Sequence, residues 1–548
     1  FNQNIHEVYK VYRRTTFVLE TTAILFTNRS LCPFTDRSKA GFFTPFQKRK
    51  QDSSSFTVNH NLVKSFYKRI FASSNKRTPE KKGRLQLEPS YFYETEVCYM
   101  KYFSRFKEHY TAIIRLGIPI VIGQLGIVIV GLADNIMVGH YATSDLAAAS
   151  FVNSAFNIPI LFGLGFSYGL TPLVGQFFGK KDKFKIGQLL RNSLLVNGCM
   201  GVFLTLLMWI FYLNIEKMGQ PAELLPLIRP YFLLQLASLI FVMLFNSFKQ
   251  FSDGITDTRT PMYIMISANV LNIIGNYILI YGKLGITPLG VVGAGISTLL
   301  SRILMFLAFA VLFYRHLAYR RYLVGYKRSH YNRTDIFSLN KMGWMVGLQM
   351  GLENGLFSVT GIMIGWLGSI ALAAHQVVVA ISTLGFMIYY GVGAAISVRV
   401  SNFFGKGDIR NVRATTAAGY HIILCLAFLA SCLFLFSRHS IGHLFTDSAE
   451  VLQVVSVLMF LLLAFQFGDS LQITYANALR GMGDVVSMAI ISFIGYFLIA
   501  LPVCYICGFV LKWGITGVWL GYPLGLTLTG LMLCARFYYI TRQVNKKP

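Results

Sequence analysis

The chain has 548 residues, 54% hydrophobic and 13% charged, with a formal net charge of +27. Soluble globular domains carry about 25% charged residues, so a water-soluble fold has no way to hide this much apolar surface. A net charge of this sign on a soluble chain would point to nucleic acid. Here Lys and Arg sit in short breaks between apolar runs and in the N-terminal segment, the positive-inside pattern of a membrane protein, so membrane lipid is the expected partner and nucleic acid is not.

Residues 1–99 differ from the rest. They carry 17 Lys and Arg and 8 Asp and Glu, and their longest apolar run, near Phe17–Phe26, contains Glu20. Such a run is too short and too polar to span a bilayer. All 18 methionines fall at or after Met100, from which a basic amphipathic stretch leads directly into the first apolar run. The expectation is a start of translation at Met100, with 1–99 a basic extension that is disordered or not native.

From residue 112 the apolar runs are long enough for membrane helices, at about 112–138, 146–178, 188–213, 227–248, 262–282, 289–315, 342–367, 371–403, 415–436, 451–478, 486–511 and 514–540. Barrel strands would alternate apolar and polar over about ten residues, and these runs do not. The breaks after spans 2, 6 and 8 are rich in Lys and Arg, and the odd-numbered breaks carry mostly lone charges. Even-numbered loops and both termini are therefore expected in the cytoplasm. The Asn332-Arg333-Thr334 sequon falls on that side and is discounted as a glycosylation site.

The chain repeats itself at a spacing of 226 residues. Phe177-Phe178-Gly179-Lys180-Lys181-Asp182 returns as Phe403-Phe404-Gly405-Lys406-Gly407-Asp408, and Ile136-Met137-Val138-Gly139 as Ile362-Met363-Ile364-Gly365. Spans 1–6 and 7–12 are thus two copies of one six-helix unit. An even span count makes the copies parallel, related by an axis along the membrane normal. The expected division is an extension at 1–99, an N-lobe at 100–315, a cytoplasmic linker at 316–341, a C-lobe at 342–540 and a cytoplasmic tail at 541–548.

Three acids fall inside spans: Asp134 in span 1, Glu353 in span 7 and Asp469 in span 10. An ionisable group there costs about 2.5–3.5 kcal/mol on insertion scales and marks a functional site by default. None has a Lys or Arg within a turn of its own helix. At the repeat spacing Asp134 corresponds to Thr360, and Asp469 to Val242 or Met243. The acids are therefore not part of the shared scaffold.

At these residues a resemblance is plain. From about Ile113 to Tyr538 the chain resembles the MATE (multidrug and toxic compound extrusion) transporters, in their NorM-like branch. The matching features are LADNIMVGHYATSDLAAAS, the paired QFFGKKD and NFFGKGD loops, the span-7 Glu and ANALRGMGD. The resemblance implies an all-α membrane protein of twelve helices in two parallel six-helix lobes arranged as a V around a central cavity. It also implies secondary active export of small amphipathic organic cations, by antiport with Na⁺ or H⁺ through alternating access. Asp134, Glu353 and Asp469 match the family's coupling acids. Some members carry a second N-lobe Asp in a D-P-I-L-I stretch, where this chain has Asn276-Tyr277-Ile278-Leu279-Ile280. That favours a cation site, Na⁺ for instance, at Glu353 and Asp469.

Weaker candidates for cavity lining are Gln124, Asn153, Asn157, Asn272, Asn276, Thr298, His375, Gln376, Tyr389 and Tyr390. Each serves equally as an interhelical hydrogen-bond partner. Phe386, Tyr389 and Tyr390 offer π-faces to a cation. Gly165-Phe166-Ser167-Tyr168-Gly169 fits the hydrolase GxSxG pattern but is expected within an apolar helix, with its glycines as packing residues. Cys504 and Cys507 also lie in an apolar run, as packing residues. No cofactor and no enzymatic reaction are expected, and a monomer in the inner membrane is. The rivals are a lipid-linked saccharide flippase, which would want cations in the cavity, and a membrane-embedded enzyme, which would want a clustered nucleophile and base.

Overall fold

A computed structural model describes residues 89–285, 287–438 and 440–544. Most of the 1–99 segment lies outside the described residues. The first helix, α1, runs unbroken over Pro89–Tyr141 and so begins upstream of Met100. A proline is well placed at its first position, because the missing N–H has no intrahelical partner there anyway.

Eleven helices among the described residues are long and apolar enough to cross a membrane. They are α1, α2 (Thr143–Gly179), α3 (Lys183–Leu213), α4 (Leu225–Gly254), α5 (Arg259–Tyr281), α6 (Gly290–Arg315), α9 (Ser369–Gly405), α10 (Ile409–Ser437), α11 (Ala449–Met482), α12 (Val485–Val510) and α13 (Gly514–Val544). The twelfth span is α8, Arg333–Gly365. Gln349, Glu353 and Asn354 lower its apolar character mid-length. Between α6 and α8 lies a shorter helix, α7 (Leu317–Arg328), so the linker is not a simple loop. Tyr319, Tyr322 and Gly325 are its buried face. Tyr319 Oη donates to Asp257 Oδ2 at 2.5 Å, which fastens α7 to the end of the N-terminal half.

Each half has its own apolar core. One runs from Val138 to Leu339, and two serve the C-terminal half. The halves also exchange helix ends. The start of α1 packs on α9 and α10 of the other half before α1 reaches α5. There His109 Nδ1 lies 3.0 Å from Thr415 Oγ1, and Tyr110 Oη 2.8 Å from His421 Nδ1. The start of α8 packs on α3 in the same way, with Asp335 paired to Lys185 at 2.8 Å and accepting from Asn192 at 3.2 Å. His109 and Asp335 stand 226 positions apart. The repeat thus builds two equivalent crossings with different chemistry.

The halves meet at one end. A Cβ on Gly179 would fall 2.1 Å from the carbonyl oxygen of Asn402, and one on Gly405 2.0 Å from that of Gln176. These glycines are equivalent in the repeat, so the two basic loops cross at closest approach, where only glycine fits. Further along, Gly131 on α1 and Gly351 and Gly365 on α8 have nothing within 4 Å of an added Cβ.

The GxSxG segment corrects its expectation in part. The helix is not continuous: α2 breaks at Tyr168 and Gly169. Pro172 accounts for this, because it has no N–H for the Tyr168 carbonyl. Both glycines nevertheless pack tightly, Gly165 against Gly347 and Gly169 against Gly343. Ser167 Oγ donates to Asn197 Oδ1 at 2.8 Å, which gives it no basic partner of a nucleophile's kind. Cys504 is buried, Cys507 is partly buried, and both are free.

Candidate functional site

Asp134 lies near the end of α1, facing α5. Its Oδ1 accepts from Asn276 Nδ2 at 2.5 Å. Asn272, one helical turn before Asn276, brings its amide nitrogen within 3.0 Å of the same oxygen when the amide is turned toward it, and its own oxygen then accepts from the Thr298 N–H. Arg302 of α6 lies within electrostatic reach of the carboxylate. Its Nη1 donates to Gln235 Oε1 at 2.9 Å and to Ser238 Oγ. Gln235 donates to Tyr231 Oη, which donates to Asn153 Oδ1, both at 3.1 Å. These side chains come from five helices, α1, α2, α4, α5 and α6, and those on α5 meet the carboxylate directly.

The absence of Lys or Arg beside the acids on their own helices does not leave them alone in space. Arg302 stands by Asp134, and Arg480 lies within electrostatic reach of Glu353. Arg480 Nη2 donates to Gln349 Oε1 at 3.1 Å, and Gln349 Nε2 donates to Glu353 Oε2 at 3.0 Å. Gln349 is thus a relay between guanidinium and carboxylate.

Asp469 is different. It is 2% exposed and within electrostatic reach of Glu353. Its Oδ2 has no protein hydrogen-bond partner, and neither do Tyr389 Oη, either amide atom of Gln466, or Gln472 Oε1. Tyr389 faces Asp469 electrostatically. A Cβ on Gly385 would touch both Gln466 Nε2, at 3.4 Å, and Tyr389 Oη, at 3.7 Å. Each unsatisfied buried polar group costs about 1–3 kcal/mol, so such a cluster calls for a ligand or a proton. No three His, Cys, Asp or Glu side chains cluster as a metal site among the described residues. A cation at Glu353 and Asp469 would therefore complete its shell from neutral oxygens, which suits a hard ion.

The other candidates divide. Gln124 and Tyr390 line a crevice between the halves with Tyr168, Lys249, Asp253 and Arg480. Its volume is about 20 Å³, room for about one water and not for a drug. Tyr168 has two cations close to its ring there, Lys249 and Arg480, each 5.8 Å from the ring centre. Tyr390 packs on Tyr168 at 5.9 Å and on Phe386 at 5.8 Å. Asn153, Asn157 and Gln376 are exposed. His375 is buried, 3% exposed, and lies edge-on to Trp519 at 5.6 Å. That face of α9 is turned into the core of its own half. Sequence reasoning passed over Arg302, Gln349, Gln466 and Arg480, although Arg302 lies within the expected span 289–315 and the cost of an intramembrane charge applies to it equally; Arg480 falls just beyond the expected 451–478 span and is taken into α11 by the structure.

The MatE family model matches the chain twice, at residues 119–278 and 346–506, once in each half. The chain belongs to the MatE family. It is 31% identical over 449 residues to the multidrug resistance protein NorM of Photobacterium profundum, covering 79% of this chain and 96% of that protein. It is 29% identical over 451 residues to the NorM of Aliivibrio fischeri, covering 81% and 97%. Among solved structures, an outward-facing multidrug resistance MATE transporter matches with a TM-score of 0.71 at 20% identity, over 80% of this chain and 97% of that one. A eukaryotic MATE transporter matches at 0.70 and 18% identity, over 81% and 99%. The two-lobe, twelve-helix MATE layout is therefore the fold. The chain is a membrane transporter and not an enzyme.

Proposed function

We propose that this transporter is a multidrug exporter that moves small amphipathic organic cations across the cytoplasmic membrane by antiport against Na⁺ or H⁺. Glu353 and Asp469 bind the coupling cation in the C-terminal half, and Asp134, the third coupling acid, acts on the substrate side of the exchange. The observation that carries this reading is the cluster around Asp469, a buried carboxylate with a free oxygen beside Tyr389, Gln466 and a second acid. An ion or proton arriving there meets ligands that no protein group already occupies.

The relay suggests how binding is felt elsewhere. A charge on Asp469 or Glu353 alters the pull on Gln349, and through it on Arg480. Arg480 also holds Tyr168 of the other half. Neutralising the acids therefore changes a contact at the closed end of the interface, which is what coupling between ion and gate requires. Asp134, near the far end of α1, answers the positive charge of the substrate. Even-numbered loops and both termini lie in the cytoplasm, the lobes divide at the 316–341 linker, and the working unit is a monomer.

The test is ethidium efflux from liposomes holding the purified protein, with Na⁺ and pH gradients imposed separately. One gradient should drive efflux above the protein-free rate, and no response to either would refute antiport.

A further inference from the structure

Between the halves, at the end where they meet, lies a cavity of about 380 Å³. Five cations line it: Lys181 in the turn after α2, Lys183 at the start of α3, Arg321 on α7, Arg399 on α9 and Lys406 just after α9. No carboxylate lines it. Two of the nearby acids are engaged as helix caps. Asp182 caps α3 through Lys185 N at 2.9 Å, and Asp408 caps α10 through Asn411 N at 3.1 Å. Glu108 lies within electrostatic reach of Arg399. None of the five cations forms an ion pair among the described residues. Arg399 Nε, in addition, has no hydrogen-bond partner.

Two features show that this is more than a solvated basic rim. The turn after α2 is left-handed at Lys181, with φ 62°, and the repeat has Gly407 at the equivalent place, with φ 75°. The N-terminal copy thus accepts a conformation that glycine takes freely and a side chain takes at about 1–2 kcal/mol, and that side chain is a cation lining the cavity. The cations also come from both sides of an interface that closes at van der Waals distance. Like charges brought together there oppose the closure. The lining includes apolar surface as well, from Phe178, Ile186 and Phe403.

We propose that this cavity binds a phosphate-bearing anion, and that the bound anion holds the basic ends of the two halves together. A headgroup of an anionic phospholipid and a free phosphate share the required chemistry. Either would stabilise the state in which the cavity exists, because it has no such site once the halves part.

The full-length protein in zwitterionic nanodiscs provides the test, by its thermal unfolding midpoint. One arm adds phosphatidylglycerol to the bilayer, and the other adds inorganic phosphate at constant ionic strength. At least one should raise the midpoint, and the arm that responds identifies the source. A triple variant, Lys181→Gln, Arg399→Gln and Lys406→Gln, should weaken the apparent affinity about ten-fold or more. An equal loss of charge outside the cavity, Arg315→Gln, Arg320→Gln and Arg328→Gln, should leave it unchanged, and Arg399→Lys should retain the response. The proposal is overturned if neither anion acts on the native chain, or if the two triple variants respond alike.

Discussion

In the N-terminal half, Asp134 receives amide donors from α5 and faces a guanidinium, and the residues around it are tied to one another across five helices. In the C-terminal half, Asp469 is more deeply buried, stands near a second carboxylate, and keeps an oxygen that has no hydrogen-bond partner. The repeat makes the contrast sharper, because it supplied both halves with one backbone. Where Asp134 stands in the first copy, the second has Thr360, whose hydroxyl is bonded to Tyr522 Oη. Burial alone therefore does not mark an ion site. What separates the two acids is how the protein meets them: Asp134 Oδ1 accepts from Asn276, whereas the buried Asp469 Oδ2 has no hydrogen-bond partner.

Substitutions can break this contrast or sharpen it. The largest effect is expected at Asp469→Asn, which should lower gradient-driven ethidium efflux about a hundred-fold or more, since a close charge in a buried site is worth several kcal/mol. Expression in the membrane should be unchanged. Asp134→Asn should reduce efflux about ten-fold, near the value of one charge-assisted hydrogen bond, and should leave stimulation by the driving ion in place. Loss of ion stimulation in that variant would erase the distinction between the halves. Gln349→Ala removes the relay from Arg480. Its ion concentration for half-maximal efflux should shift several-fold, because two hydrogen bonds to charged groups are lost. The smallest effect is expected at Asn276→Ala, a loss of about 1–2 kcal/mol in stability with ion dependence intact. It is read as a lower unfolding midpoint.

The fold was largely legible from sequence. Long apolar runs fix where helices cross, and the unchanged 226-residue spacing fixes that there are two copies. Packing across the halves was not legible. Nothing local in α1 says that His109 sits on α10 and Asp134 on α5, because an end buried against a different lobe reads like any amphipathic turn. The acids were found because an intramembrane charge is costly wherever it sits. Their partners were missed for two different reasons. Arg302 is distant from Asp134 in the chain, and only packing joins them. Gln349 was within reach, since four residues before Glu353 is one helical turn. His375 shows the converse limit: a polar residue on a helix buried on several sides gives no periodic signal for the face it occupies.

The most direct measurement of the central claim is efflux from liposomes with Na⁺ and pH gradients imposed separately, comparing the Glu353→Gln, Asp469→Asn double variant with Asp134→Asn. Neither gradient should stimulate the double variant, whereas Asp134→Asn should remain stimulated at a reduced rate. Full stimulation of the double variant by either gradient would contradict that claim.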